Sequence, residues 1–289
     1  MELNEGGTVS MKAELILGIE GFRFVEPTFA DLSDDLWTDI LIAAQGDQGR
    51  LLVDEKDEPI AFAIGDGFRW NVGSFLARKP NAALVERFEE TAGEIWQEKR
   101  ETWAEAVREY YSFEIIKTVG PALEDQNPDR QAMVNDLLSY IWGKDEPGRC
   151  LDCCCGSGIG AVALRNLGFT PLSYDNDASL LSRGFSKKRL VPEQTMLIDA
   201  AVASQYTGNA PHGLGLMFGE INNFTKELWE QITIELIALS STTLITVGTE
   251  TEAKIIEGWV KARGRTVRVF ENKRDPIYDH WVLDIRRKQ

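Results

Sequence analysis

The sequence predicts an α/β protein. Its core would be a seven-stranded, mostly parallel sheet with helices on both faces and a terminal antiparallel strand, preceded by a mostly helical N-terminal part. Three observations carry that expectation. From about residue 128 onward, short apolar runs alternate with helical patterns, the order of a parallel sheet fed by crossover helices. The last two runs, 266–271 and 280–286, are joined only by N-K-R-D-P-I-Y-D, so they pair antiparallel. Before residue 118, by contrast, helical spacing dominates.

The first part is read in order. Residues 31–45 form an amphipathic helix, with Leu36, Ile40, Leu41 and Ala44 at helical steps. Residues 51–65 make a hairpin, two apolar runs around the charged E-K-D-E-P. A loop over 65–73 carries Phe68 and Trp70. One long helix is expected over 80–111, because Val85, Phe88, Ala92, Ile95, Trp96, Trp103, Val107 and Tyr110 recur at steps of three and four. Gly120, Pro121 and Asn127-Pro128 mark a break between two domains. Residues 1–120 would be an accessory or cap region, and 121–289 would hold the sheet.

In the second part, Asn127-Pro128 starts a helix and Gly143 stops it, with Met133, Leu137 and Ile141 on one face. Strands follow at 149–154, 171–174, 194–198, 214–218, 243–247, 266–271 and 280–286. The intervening helices are 159–167, 178–187, 225–239 and 250–262.

Composition sets bounds on function. With 289 residues, 43% apolar and 27% charged, the chain suits a soluble globular protein. It has no run long enough for a membrane helix, and the acidic start M-E-L-N-E-G-G does not resemble a signal peptide. All four cysteines lie between Cys150 and Cys155, which makes no disulfide framework and fits a reducing, cytoplasmic setting. They do not form the two separated pairs of a zinc site, and the two histidines are distant, so no metal is expected. The net charge of −15 is uneven: residues 1–148 carry 14 basic and 30 acidic side chains, and residues 149–289 carry 17 and 16. Such an acidic first half disfavours a nucleic-acid partner. It suits a solvated surface, or a cover that admits neutral or cationic molecules.

The stretch Cys150 to Gly160 reads C-L-D-C-C-C-G-S-G-I-G. An apolar strand ends at Asp152, the turn Gly156-Ser157-Gly158 follows, and then a helix begins. A glycine turn lets backbone approach a ligand closely, and the N–H groups of the next helix face it. These residues resemble the first motif of class I S-adenosylmethionine-dependent methyltransferases, an acid followed by a glycine-rich turn. Cys154 stands where the family usually has its first glycine. The resemblance covers about 128–289 and implies a Rossmann-like seven-stranded fold with S-adenosylmethionine as cofactor. It implies that Asp152, Cys154, Gly156, Ser157 and Gly158 hold the methionine end. Asp175, at the second strand end and 19 residues after Gly156, would accept from the ribose diol. Asn176, Asp199 and Ala200 would meet the adenine, and Glu220, after the fourth strand, would lie near the methyl.

Each acid has an alternative as a helix cap; for Asp177 and Asn223 capping is the favoured reading. His280 is a lesser candidate for acid–base work, and Phe68, Trp70, Tyr110 and Tyr111 are candidates for a pocket wall or for the core. The turn also fits G-x-G-x-x-A, a nicotinamide fingerprint, but the acid four residues before the first glycine and the position in mid-chain disfavour that oxidoreductase reading. Residues 220–224, E-I-N-N-F, lack the proline pair of nucleobase amine methyltransferases and the Pro-Cys of pyrimidine C5 enzymes. The expected activity is direct in-line methyl transfer to a small molecule or protein side chain. The alternative is a non-catalytic protein that binds the cofactor and acts by interaction.

Overall fold

The computed structural model describes residues 11–123 and 127–287. Contacts divide the chain into two compact units, Met1–Glu114 and Ile115–Gln289.

The first unit is not mostly helical. Its elements are α1 (Lys12–Leu17), β1 (Phe22–Phe24), α2 (Leu36–Ile42), β2 (Gln48–Val53), β3 (Pro59–Gly65), β4 (Trp70–Ser74), α3 (Ala82–Glu89), β5 (Ala92–Gln97) and α4 (Arg100–Thr118), which runs past the unit boundary. The five strands form one mixed sheet in the order β1-β4-β3-β2-β5. The hairpin at 51–65 is present as β2 and β3, paired Leu51 with Phe62. The long helix expected over 80–111 is three elements. Thr91-Ala92-Gly93 interrupts it, and Ile95 and Trp96, both good strand formers, pair with Leu51 and Leu52 of β2. Helical spacing there is accidental: every residue of β5 is exposed, so there was no buried face to set the period. The helix read over 31–45 is likewise shorter. A 3-10 turn, Phe29–Ser33, precedes α2, and Asp34 and Asp35 separate them. Leu41 is buried, whereas Leu36 and Ile40 are exposed.

The second unit follows the expected alternation. It contains α5 (Arg130–Trp142), β6 (Arg149–Cys153), α6 (Ile159–Asn166), β7 (Thr170–Asp175), α7 (Ala178–Ser186), β8 (Thr195–Leu197), β9 (Ala210–Gly215), α8 (Lys226–Leu239), β10 (Ser240–Val247), α9 (Glu250–Ala262), β11 (Thr266–Glu271) and β12 (Trp281–Arg286). The sheet order is β11-β12-β10-β9-β6-β7-β8. Neighbours from β10 to β8 are parallel, and β12 runs antiparallel to both β10 and β11. Strand order therefore reverses between β6 and β9, where an open sheet leaves a crevice at its carboxyl edge.

Two boundaries differ from expectation. The fourth strand is 210–215 rather than 214–218, because Pro211, Gly213 and Gly215 hide its pattern and the chain leaves the ladder at Met217, φ 55°. The helix after Asn127 starts at Arg130, while the Asn127 side chain accepts from Asp129 N–H at 3.0 Å. The core beneath the site joins Leu137, Leu138 and Trp142 of α5, Ile159 and Leu164 of α6, and Leu214 and Leu244 of the sheet. Burying each such side chain is worth about 1.5–3 kcal/mol. That fixes α6, and hence the glycine turn before it, against the sheet.

Candidate functional site

The strand ends bring several predicted residues to one hollow. A cavity of about 350 Å³ opens at the carboxyl ends of β6 and β7. Its lining includes Asp152, Cys154, Gly156, Ser157 and Asp175. Gly158 shapes the turn from outside that lining: its φ is 83°, and its N–H donates to Cys155 O at 2.9 Å. Cys154, in the family's glycine position, has φ 52°. An L-residue pays of order 1 kcal/mol or more there, which explains the usual glycine.

Asp152 is buried at the end of β6. Ser173 Oγ donates to its Oδ2 at 2.9 Å. A Cβ at Gly160 would stand 2.7 Å from its Oδ1, so α6 can approach the acid only with glycine there. Burial, partly countered by the Ser173 bond, pushes this carboxyl up to about 7.

Asp175 ends β7. Its Oδ2 accepts from Gly156 N–H at 2.8 Å and its Oδ1 from Asp177 N–H at 2.9 Å. Burial raises its pKa against these bonds. The two backbone donors fix the carboxylate plane. Each oxygen keeps a second acceptor position, enough for a vicinal diol.

The adenine-side candidates Asn176, Asp199 and Ala200 are not among the residues that line this cavity. Asn176 is exposed. Asp199, also exposed, accepts from Ala201 N–H at 2.9 Å and so caps the 3-10 turn Ala200–Gln205. Ala200 is buried at the start of that turn. Asp177 caps α7, as expected, by accepting from Ser179 and Leu180 N–H. Asn223 does not cap α8; the neighbouring Asn222 takes the turn donors, Phe224 and Thr225 N–H. Glu220 lines a different hollow, which shares Met217 and Tyr278 with the first. His280 Nε2 sits 3.1 Å from Glu271 Oε1. Of the aromatics considered for a wall, Trp70 and Tyr111 are buried in the first unit's core and Phe68 is exposed.

One site residue escaped the sequence reading. Arg130, the first residue of α5, lines the cavity. Its Nη2 donates to buried Asp279 at 3.2 Å, and its guanidinium lies 4.9 Å over the Tyr278 ring. Its buried Nε has no partner among the described residues. Arg130 is far in sequence from Tyr278 and Asp279, so only the fold joins it to them; the signal available was an arginine two residues past a helix-starting Asn-Pro.

The hollow fits an adenosyl sulfonium with an amino-acid tail on two counts. Apart from the adjoining residues, no described atom lies within 4 Å of where a Cβ on Gly156 would be, so the turn has open space in front of it. The first turn of α6 has no side-chain cap. Among the described residues, no group of three or more His, Cys, Asp or Glu is arranged to hold a metal. No helix among them is long and apolar enough to cross a membrane.

No family model and no curated protein matches the sequence. Among solved structures, the chain is similar to magnesium protoporphyrin IX methyltransferase from Synechocystis PCC 6803 with bound SAM. That pair shares 16% identity over 63% of this chain and 96% of the other, with a TM-score of 0.45. It is also similar to the ribosomal protein L11 methylase of Lactobacillus delbrueckii subsp. bulgaricus, with 13% identity over 57% and 81% and a TM-score of 0.45. Streptomyces venezuelae DesVI gives 11% over 55% and 92%, with a TM-score of 0.43. In its own strand order, with one antiparallel strand inserted beside the last parallel one, the second unit has the Rossmann-like seven-stranded fold of class I S-adenosylmethionine-dependent methyltransferases.

Proposed function

We propose that the second unit binds S-adenosylmethionine and that the protein is a methyltransferase acting on a small molecule or a protein side chain. The observation that carries this reading is the convergence of Asp152, Gly156, Ser157 and Asp175 on one cavity edge, with Gly156 N–H tied to the Asp175 carboxylate. In this reading residues 1–114 are the accessory part.

When bound, the cofactor supplies an electrophilic methyl on sulfur, so the protein's work is mainly positioning and exclusion of water. Asp175 would accept from the ribose hydroxyls, its plane already set by two N–H groups. Asn176, Asp199 and Ala200 would bound the adenine. Cys154, Gly156, Ser157 and Gly158 would hold the methionine end, with Asp152 beneath it. Arg130, in the cavity wall, would supply positive charge to the tail carboxylate. Asp152, near neutral when alone, would ionise beside the tail's ammonium.

Calorimetry with S-adenosylhomocysteine and with NAD tests the reading. S-adenosylhomocysteine should bind, and Asp175→Ala should cost about 1.5–3 kcal/mol of that affinity, the worth of hydrogen bonds to a charged group. Tight NAD binding without a response to S-adenosylhomocysteine would replace this reading with the dehydrogenase one.

A further inference from the structure

The hollow that holds Glu220 has a chemistry of its own. It measures about 330 Å³ and adjoins the first cavity through Met217 and Tyr278. Its accessible apolar wall is Met217 and Ile277, both exposed, and the half-buried Tyr278; Phe218 also lines it but is buried against Trp229, ring centroids 4.9 Å apart. Its charge has one sign. Glu220 and Glu252 line it, and no lysine or arginine is among the described lining residues.

The two carboxylates are not equivalent. Glu252 is engaged as the capping box of α9: Oε2 accepts from Thr249 N–H and hydroxyl at 3.1 and 2.8 Å, and Oε1 accepts from Ile221 N–H at 3.0 Å. The Glu220 side chain is exposed and is bonded by no described residue. An anion entering this hollow would lose hydration and meet two carboxylates. A cation with an apolar body would meet Met217, Ile277 and Tyr278 and an unpaired carboxylate.

Building on the methyl-transfer reading, we propose that this second hollow is the acceptor site and that its acceptor is a small arylalkyl amine, with carboxylates and phosphates turned away. The transfer balances without a further reactant. The ammonium first loses one proton to solvent. The amine nitrogen then forms the N–C bond as the S–C bond of the sulfonium breaks, and that electron pair stays on sulfur as a thioether.

The test uses the full chain saturated with S-adenosylhomocysteine and two probes of similar shape, 2-phenylethylamine and phenylacetate, titrated by calorimetry. The amine should bind more tightly than the acid. Glu220→Gln should weaken the amine by roughly two- to fivefold, the scale of an exposed charge pair, with S-adenosylhomocysteine affinity unchanged. Glu220→Lys should reverse the preference between the probes. Equal or tighter binding of phenylacetate to the native chain, no binding of the amine, or an unreversed preference in Glu220→Lys would overturn the proposal while leaving the methyl-transfer reading intact. Failure of S-adenosylhomocysteine itself to bind would remove both.

Discussion

Each unit buries an arginine against a carboxylate, and the two pairs are used differently. In the first unit, Arg78 spends every nitrogen: Nη2 on Glu26, Nε on Thr38 Oγ1 at 2.9 Å and Nη1 on Leu32 O at 3.0 Å. Glu26 also takes Ser74 N–H, though its Oε2 has no partner among the described residues, and burial raises its pKa. In the second unit, Arg130 gives one bond to Asp279 and lines a cavity, while its buried Nε has no partner among the described residues. A saturated guanidinium locks loops together. One that gives a single side-chain bond at a cavity wall keeps charge that an anion in the cavity can meet.

The largest expected effect sharpens the structural side of that contrast. Arg78→Met leaves Glu26 buried without its cation, and breaking such a pair costs about 3–5 kcal/mol. Urea unfolding should show that loss. A loss below about 1 kcal/mol would mean that the pair is solvated and the contrast false.

Next in size is a pH effect at Asp152. Its folded pKa of about 7 lies above its ordinary value, so the folded chain keeps a proton that the unfolded chain releases near pH 4. The sign follows: this contribution to stability is full below about pH 4 and is lost as pH rises through about 7. Asp152→Asn should therefore reduce the stability drop between pH 5 and pH 8 by on the order of 2–3 kcal/mol. The same linkage makes cofactor affinity rise with pH over this window, if the bound ammonium ionises the acid. An unchanged stability–pH slope in the Asn variant would show that Asp152 is already ionised in the free protein.

The binding side of the contrast is tested by Arg130→Lys. Lysine keeps a cation for Asp279 but has no equivalent of Nε. S-adenosylhomocysteine affinity should fall by about 0.5–1.5 kcal/mol, with unfolding nearly unchanged. The opposite pattern, lost stability with intact affinity, would make Arg130 a second Arg78.

Legibility in the sequence followed the same division. In the second unit, pattern and position mostly agree. β6 and β7 are short and end at acids, and α9 and β11 begin and stop where the spacing puts them; β9, with Pro211, Gly213 and Gly215, is the strand whose pattern was hidden. In the first unit β1 has only three residues, and the exposed β5 offers no alternation to read; pairing with β2 decides it, and pairing is not local. The edge of the cavity was legible where one strand end and its turn form it, as at Asp152 and Asp175. It was not legible at Arg130, whose partners arrive from residues 278 and 279. Nor did the sequence separate Glu220 from the first cavity, because that depends on where Met217 leaves the ladder.

The smallest expected effect concerns Asp199, where capping and binding compete for the same carboxylate. The cap alone uses one oxygen, on Ala201 N–H, and the other remains exposed at the end of β8. Both roles can therefore hold at once, and a serine separates them. Serine keeps an acceptor for the cap but does not reach as far as a carboxylate. Asp199→Ser should leave stability within about 0.5 kcal/mol and weaken S-adenosylhomocysteine by about 0.5–1.5 kcal/mol, the loss of one hydrogen bond to the adenine. Asp199→Ala should show the same affinity loss plus roughly 1 kcal/mol of stability from the missing cap. If the serine variant binds as well as the native chain, Asp199 serves the turn alone, and the adenine end must be held by Asn176 and the backbone near Ala200.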